Sequence, residues 1–180
     1  MKISVFIAIS LDGYISRKDG SIDWLNKAND VVPAGEYCGF SKFFNSIDTL
    51  IMGRNSYEQA LTFDHWPYEN KPVIVLSSKK ISIPDFLPKT VSSSSETPEE
   101  LVKRLSISET KHLYVDGGIT IQRFFNAGFI DEITITTIPI LLGEGKPLFS
   151  KLDKDIHLKH IFTKAYDFGF VQTKYVILKN

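Results

Sequence analysis

The chain has 180 residues, of which 43% are hydrophobic, so it has enough apolar surface to fold and is not intrinsically disordered. Its 21 Lys and Arg residues balance 21 Asp and Glu residues, which argues against nucleic acid or an anionic membrane as a partner. One cysteine and four dispersed histidines do not have the spacing of a disulfide framework or a metal site. We expect a single domain over residues 1–180 that is cytoplasmic, binds small molecules and holds no metal.

The first half of the chain predicts strands separated by helices. Apolar runs at residues 3–9, 49–52 and 72–76 have the composition of strands buried on both faces. Between the first two runs, the apolar residues of 21–47 fall three and four positions apart, which indicates two helical stretches. This alternation favours a parallel sheet covered by helices.

The middle of the chain contains two well-marked helices. Residues 97–100, Thr-Pro-Glu-Glu, form the pattern of a capping box with proline at the first helical position. Residues 112–115 predict a strand that leads through a glycine pair into a helix over 119–127, which Gly128 ends. The serine run 92–95 is interpreted as a surface loop.

The last third of the chain has the pattern of antiparallel strands. Residues 133–138 alternate with period two, and 156–165 and 170–178 are separated by a turn, as in a closing hairpin. The fold class is therefore α/β, with a mostly parallel central sheet, flanking helices and an antiparallel C-terminal hairpin. The apolar residues 175–178 are interpreted as a sheet edge, which predicts a homodimer.

Four polar or glycine-containing segments follow the predicted strands. Open α/β sheets bind ligands in the crevice beyond the carboxyl ends of their strands, where helix N-termini attract anions. The segments are Ser10–Ile15, Met52–Glu58, Leu76–Lys80 and the turn at Gly117-Gly118. Each has a simpler interpretation, namely an ordinary turn, a helix cap or solvated lysines, and the glycine pair is not a G-x-G-x-x-G fingerprint.

In this order and spacing, the segments resemble the dihydrofolate reductase superfamily. The resemblance is to its riboflavin-biosynthesis reductase branch (RibD C-terminal domain type), here as a stand-alone chain. Residues 10–15 are similar to S-x-D-G-x-I, 52–57 to M-G-R-x-T-Y, and 116–119 to the glycine pair of that family. The most specific match runs over 128–149, which resembles G-L-x-D-E followed by P-x-L-L-G-x-G-x-x-L-F.

The resemblance implies an NADPH-dependent reductase that transfers hydride to a small heterocycle. A 5-amino-6-(5-phosphoribosylamino)uracil-like pyrimidine is the expected substrate, and dihydrofolate or another pterin is the alternative. A non-catalytic NADPH-binding protein and an oligomer whose glycines serve only packing remain as further alternatives.

The resemblance also implies the cofactor contacts. The backbone of β-strand residues 8 and 9 would line the nicotinamide, residues 53–56 and 117–121 would hold phosphate groups, and 76–78 would surround the adenosine end. The residues are Ala8, Ile9, Gly53, Arg54, Asn55, Ser56, Leu76, Ser77, Ser78, Gly117, Gly118, Ile119, Thr120 and Ile121.

Four further residues are candidates for contact with the substrate. Asp12 is the predicted catalytic residue, which would orient the substrate or relay a proton. Tyr14, Trp24 and Glu144 are predicted substrate contacts. Trp24 has the alternative of packing in the core, and the glycines on either side of Glu144 are also explained by a turn.

Overall fold

The computed structural model describes residues 1–152 and 154–179, which contain ten strands and five α-helices. In these ranges no helix is both long and apolar enough to cross a membrane. The strands are β1 (Lys2–Ser10), β2 (Tyr14–Ser16), β3 (Thr49–Gly53), β4 (Val73–Leu76), β5 (Val91–Ser94), β6 (His112–Asp116), β7 (Glu132–Ile138), β8 (Lys146–Pro147), β9 (Leu158–Ala165) and β10 (Val171–Ile177). The helices are α1 (Asp23–Ala28), α2 (Phe40–Ser46), α3 (Arg54–Ala60), α4 (Pro98–Ile107) and α5 (Gly118–Asn126).

Eight of these strands form one sheet in the order β5-β4-β3-β6-β1-β7-β10-β9, and β2 pairs separately with β8. The strands from β5 to β7 are parallel, whereas β10 is antiparallel to both β7 and β9. The predicted parallel sheet with a C-terminal hairpin is confirmed. After β3 the chain passes through α3 to β4, and after β6 it passes through α5 to β7 on the other side. A crevice therefore opens between β3 and β6.

The two faces of the sheet carry different cores. Helices α4 and α5 cover one face, where Leu101, Ile121 and Phe124 are fully buried. The other face packs against α2 and α3 and is rich in aromatic residues, among them Tyr57 and Tyr114. Because strand side chains alternate, β3 and β6 supply residues to both cores.

The predicted helix cap and helix terminator in the middle of the chain are confirmed, whereas the predicted serine loop is not. The Glu100 N–H donates to Thr97 Oγ1 and the Thr97 N–H donates to the Glu100 carboxylate, so the capping box is formed. Gly128 has φ +72 after α5, as expected of a helix terminator. The loop prediction for the serine run is wrong, because Val91–Ser94 is strand β5. It lies at the sheet edge, where exposed polar side chains are favourable.

The predicted dimer edge is also misplaced. Residues Tyr175–Ile177 belong to β10, which lies inside the sheet between β7 and β9. The outer strand is β9, and all eight of its side chains are exposed. The homodimer stays a prediction, and β9 takes the place of residues 175–178 as the exposed edge at this end of the sheet.

Candidate functional site

A cleft of about 1140 Å³ opens at the carboxyl ends of β1, β3, β4 and β6. It is lined by residues from all of the predicted cofactor segments, although these are far apart in sequence. Every predicted cofactor contact except Ile9 and Ile121 lines it, namely Ala8, Gly53, Arg54, Asn55, Ser56, Leu76, Ser77, Ser78, Gly117, Gly118, Ile119 and Thr120.

Ile9 and Ile121 face away from the cleft. The Ile121 side chain is fully buried, and its N–H donates to the carbonyl oxygen of Gly117 at 2.8 Å. Ile9 pairs with Thr137 in the sheet and packs against the α4 and α5 core. Side-chain alternation in β1 and the helical period of α5 turn both side chains into the core. The predicted backbone contact of Ile9 with the nicotinamide stays a prediction.

The glycines at the starts of α3 and α5 allow these two helix ends to approach each other. Gly117 has φ +86, and a Cβ there would collide with Ser56 Oγ. A Cβ on Gly53 would lie 2.7 Å from Thr120 Oγ1, and one on Gly118 would lie 2.6 Å from Ile15 Cδ1. The tight-turn interpretation of the glycine pair is thus compatible with a phosphate site, since the same conformation exposes backbone N–H groups of α5.

Cationic side chains from several elements line the cleft. Arg54 follows β3 and lies 3.7 Å from the Glu58 carboxylate, and both side chains are partly exposed. Lys79 follows β4, where its N–H donates to Ser77 Oγ at 3.1 Å. Arg123 of α5 and Lys146 of β8 complete the cationic lining.

Among the described residues, no group of three or more His, Cys, Asp or Glu side chains is placed to hold a metal ion.

Beside β1 the cleft extends over the α2 and α3 face of the sheet. The Tyr114 hydroxyl donates to the carbonyl oxygen of Phe6 at 2.9 Å and to Asp116 Oδ1 at 3.3 Å. Tyr114 and Asp116 share one face of β6, two positions apart. We call this part the aromatic chamber and define it by the lining residues Phe6, Leu25, Phe63, Tyr68, Tyr114 and Asp116.

Asp116 is a candidate functional residue that the sequence interpretation did not select. Burial raises the pKa of its carboxyl group, although hydrogen bonds from the Gly117 N–H and the Tyr114 hydroxyl act in the opposite direction. Burial and the nearby Asp116 charge also raise the pKa of Tyr68. A carboxyl group whose pKa is raised by burial keeps its proton to higher pH than a free carboxyl group, which is a property of general acids. Its position directly before the glycine pair was the available sequence signal.

Asp12, the predicted catalytic residue, is held by hydrogen bonds between two loops, and its catalytic role stays a prediction. Its carboxylate accepts a hydrogen bond from Ser10 Oγ at 2.6 Å and from the N–H groups of Leu142 and Gly143. The Ser10 hydroxyl is the largest influence that lowers the pKa of Asp12, and the two N–H groups add to it. Asp12 does not line the cleft. It joins the loop after β1 to the loop after β7.

The three predicted substrate contacts also lie outside the cleft lining. Tyr14 is in β2 and packs against Gly145, where a Cβ would lie 3.1 Å from Tyr14 Cγ. Trp24 is 2% exposed and belongs to a separate core cluster with Ile138 and Phe170. Glu144 is exposed and forms an ion pair with Lys18. Trp24 therefore packs in the core, as its alternative interpretation expects, while the substrate contacts of Tyr14 and Glu144 stay predictions.

The architecture is the dihydrofolate reductase-like fold. Its features are a mostly parallel sheet with this strand order, a C-terminal antiparallel hairpin and a cleft at the β3–β6 crevice. A dihydrofolate reductase from Enterococcus faecalis complexed with NADP(H) has the same fold, with a TM-score of 0.66 and 20% sequence identity. That likeness covers 99% of this chain and 97% of the reductase.

The chain belongs to the RibD C-terminal domain family, which it matches over residues 1–171. It is 34% identical over 177 residues to YwjB of Bacillus subtilis (strain 168), an uncharacterised protein, and the match covers 97% of each chain. It is also similar to a crystal structure from Shewanella sp. PV-4 that carries a provisional assignment to riboflavin biosynthesis. That structure has a TM-score of 0.91 and 38% identity, with 99% of this chain and 100% of the other covered.

Proposed function

We propose that the protein is an NADPH-dependent oxidoreductase that transfers hydride to a small, flat nitrogen heterocycle of the aminopyrimidine type. The observation that carries the proposal is a single cleft that joins glycine-bounded, cationic helix ends to an aromatic chamber containing Asp116. Membership of the RibD C-terminal domain family and the similarity to the Shewanella protein support the same reaction class.

The cleft fits a dinucleotide cofactor. The α5 N-terminus and Arg54 would hold its phosphates, because both attract anions and Gly117 and Gly118 leave the backbone uncovered. Ser78 and Lys79, beyond β4, would hold the adenosine end and its 2′-phosphate. NADPH bound there would supply the hydride.

The chain itself would orient the substrate and supply a proton. Phe6 and Tyr114 line the cleft and would offer apolar contacts to a flat ring, and Ala8 follows Phe6 on the same face of β1. The Asp116 carboxyl group would bind a ring or amino N–H, or donate its proton to the atom that becomes basic after hydride transfer. Ile15 of β2 and Pro147 of β8 line the cleft, and these paired strands would shield part of it from water.

A pterin such as dihydrofolate is the second candidate substrate. The same chamber would accept its flat ring, and Asp116 would meet its amino and ring N–H groups. Measurement of NADPH oxidation with aminopyrimidines and with dihydrofolate separates the two substrate classes.

Cofactor binding provides the first test. NADPH should enhance nicotinamide fluorescence and raise the melting temperature, because a ligand that binds only the folded state stabilises it. Arg54→Ala and Ser78→Ala should each weaken NADPH more than NADH, with Lys42→Ala on the exposed face of α2 as the matched control.

Three outcomes contradict parts of the proposal. Absence of any NADPH effect contradicts the cofactor assignment. Equal losses for NADPH and NADH contradict the placement of the 2′-phosphate. Binding without oxidation in the presence of any heterocycle favours a non-catalytic NADPH-binding protein.

A further inference from the structure

We propose that Tyr114 is a positioning residue, whose hydroxyl proton turns between the Phe6 carbonyl oxygen and the Asp116 carboxyl group as Asp116 gains or loses its own proton. This coupling ties the proposed acid of the cleft to the backbone of β1. It rests on the proposed NADPH-dependent reductase function and deepens it, because it adds a residue that controls the proton donor.

The Tyr114 hydroxyl faces two acceptors with one proton. Its oxygen lies 2.9 Å from the Phe6 carbonyl oxygen and 3.3 Å from Asp116 Oδ1. A hydroxyl group has a single O–H donor, so it cannot make a full hydrogen bond to both acceptors at once. The stronger acceptor therefore takes the proton, and the other acceptor loses its donor.

The charge of Asp116 decides which acceptor is stronger. While its carboxyl group is neutral, the nearer acceptor is favoured, and Tyr114 donates to the Phe6 carbonyl oxygen. An ionised carboxylate accepts charge-assisted hydrogen bonds that are roughly twice as strong as neutral ones, so the Tyr114 proton then turns to Asp116. Ionisation of Asp116 therefore releases the Phe6 carbonyl oxygen.

The Phe6 carbonyl oxygen lies where β1 has separated from β6. The ladder between these strands ends at the pair Ser4 and Tyr114, and beyond that pair β6 remains paired with β3 on its other side. The Tyr114 side chain therefore supplies a donor that the β6 backbone no longer supplies. Because Phe6 lines the cleft, the change in hydrogen bonding takes place at the wall of the proposed substrate site.

The tyrosine ring is held in place while its proton turns. Tyr114 is 5% exposed, and its ring makes edge contacts with Phe43 at 5.0 Å and Phe40 at 6.3 Å between ring centroids. These contacts with α2 fix the position of the hydroxyl oxygen, because close-packed rings leave no room for another orientation. Rotation about the C–O bond is therefore enough to exchange the two acceptors.

Tyr68 and Arg54 bring further titratable groups to the cleft. Tyr68 lies in the segment before β4, where burial and the Asp116 charge raise the pKa of its phenol, so it stays neutral. Arg54 begins α3, directly after the strand that pairs with Asp116, and its Nε lies 3.7 Å from Glu58 Oε1. An arginine is charged at every pH at which the fold is studied. Asp116 is therefore the group whose charge changes beside Tyr114.

In the proposed reaction the Tyr114 proton follows the charge that proton transfer creates. When Asp116 acts as the acid, its O–H bond breaks, an N–H bond forms on the substrate, and the carboxylate keeps the electron pair. Tyr114 then donates to this carboxylate and stabilises it. Asp116 regains a proton from water in the open cleft, and Tyr114 returns to the Phe6 carbonyl oxygen.

Carbon-13 NMR of the protein without ligand tests the coupling. The carboxyl carbon of Asp116 and the carbonyl carbon of Phe6 are followed from pH 4 to pH 9, with Asp116→Asn as the control. We expect both carbons to titrate with the same midpoint, and we expect the Phe6 signal to become independent of pH in Asp116→Asn. The inference is overturned if Asp116 does not titrate in this range, or if the Phe6 carbonyl carbon does not follow it.

Tyr114→Phe tests the hydroxyl itself, with Tyr57→Phe as the matched control. Tyr57 is buried in the same aromatic core, but its hydroxyl donates to the carbonyl oxygen of Ser82 at 3.2 Å. Tyr114→Phe should move the Asp116 midpoint to higher pH by about one pH unit, because the carboxylate loses a donor. Tyr57→Phe should leave it in place. A midpoint that is unchanged in Tyr114→Phe, or that moves equally in both variants, overturns the inference.

Turnover gives a separate readout. With a heterocycle that supports NADPH oxidation, Tyr114→Phe should move the alkaline limb of kcat to higher pH by the same interval and change the affinity for NADPH by less than about twofold. An alkaline limb that stays in place overturns the inference. Absence of NADPH oxidation contradicts the proposed function instead, and the titration without ligand distinguishes that result from a failure of the coupling.

Discussion

Substitution of Gly117 by alanine tests whether the two helix ends that frame the cleft depend on this glycine. Gly117 has φ +86 and ψ 138, a conformation that costs a residue with a Cβ about 1–3 kcal/mol. The added Cβ also collides with Ser56 Oγ, and overpacking of this kind costs about 1–3 kcal/mol. Together the two terms destabilise the fold by about 2–6 kcal/mol.

Thermal or urea unfolding measures this loss. For a domain of this size each kcal/mol corresponds to about 2–4 °C, so the melting temperature should fall by about 4–24 °C. Gly128→Ala is the matched control, because Gly128 also has positive φ but no atom lies within 4 Å of its Cβ position. It should cost only the conformational part, about 1–2 kcal/mol.

The double variant Gly117→Ala with Ser56→Ala separates the two terms. It removes the Oγ atom and should restore the steric part, about 1–3 kcal/mol, while the backbone strain remains. The reasoning is refuted if Gly117→Ala destabilises no more than Gly128→Ala, or if Ser56→Ala restores nothing. Either result would mean that α3 and α5 do not meet as closely as the structure indicates.

Two further predictions concern the acidic residues. Because burial raises the pKa of Asp116, its protonated form stabilises the fold below the unfolded-state pKa, and that stability is lost as pH rises through the folded-state pKa. The melting temperature of Asp116→Asn relative to the wild type should therefore increase from pH 4 to pH 8 while turnover falls, and a difference independent of pH would contradict this. Asp12→Ala should loosen the loop after β7, seen as faster proteolysis at residues 139–150 and weaker NADPH binding, whereas Asp85→Ala at an exposed site should change neither.

The success of the sequence interpretation at the cleft came from the segments that follow strands. Glycines and short polar residues at those positions are local signals of backbone conformation, and they identified Gly53–Ser56 and Gly117–Thr120 correctly as cleft residues. The same reasoning extended one residue too far to Ile121, whose direction depends on the helical period and on the core beneath α5.

Residues assigned to the substrate were harder to predict. Asp12 and Glu144 have the residue type expected of catalytic groups, yet their partners are backbone N–H groups and a lysine more than 120 positions away in sequence. The environment of Asp116 is not predictable from local sequence, because it depends on Phe6, Tyr68 and Tyr114, which come together only across strands and loops. No local pattern reports such contacts.

By itself the sequence determined the secondary structure of most of the chain, the α/β class with its C-terminal hairpin, and the glycine-bounded turns that open the cleft. These follow from periodicity, capping and turn chemistry, which act over a few neighbouring residues. Only the tertiary structure decided that β9 forms one edge of the sheet, that Asp12 joins two loops, and that Asp116 lies in the cleft beside Tyr114. These features depend on strand order and long-range packing, because burial and charge environment are properties of residues brought together from distant parts of the chain.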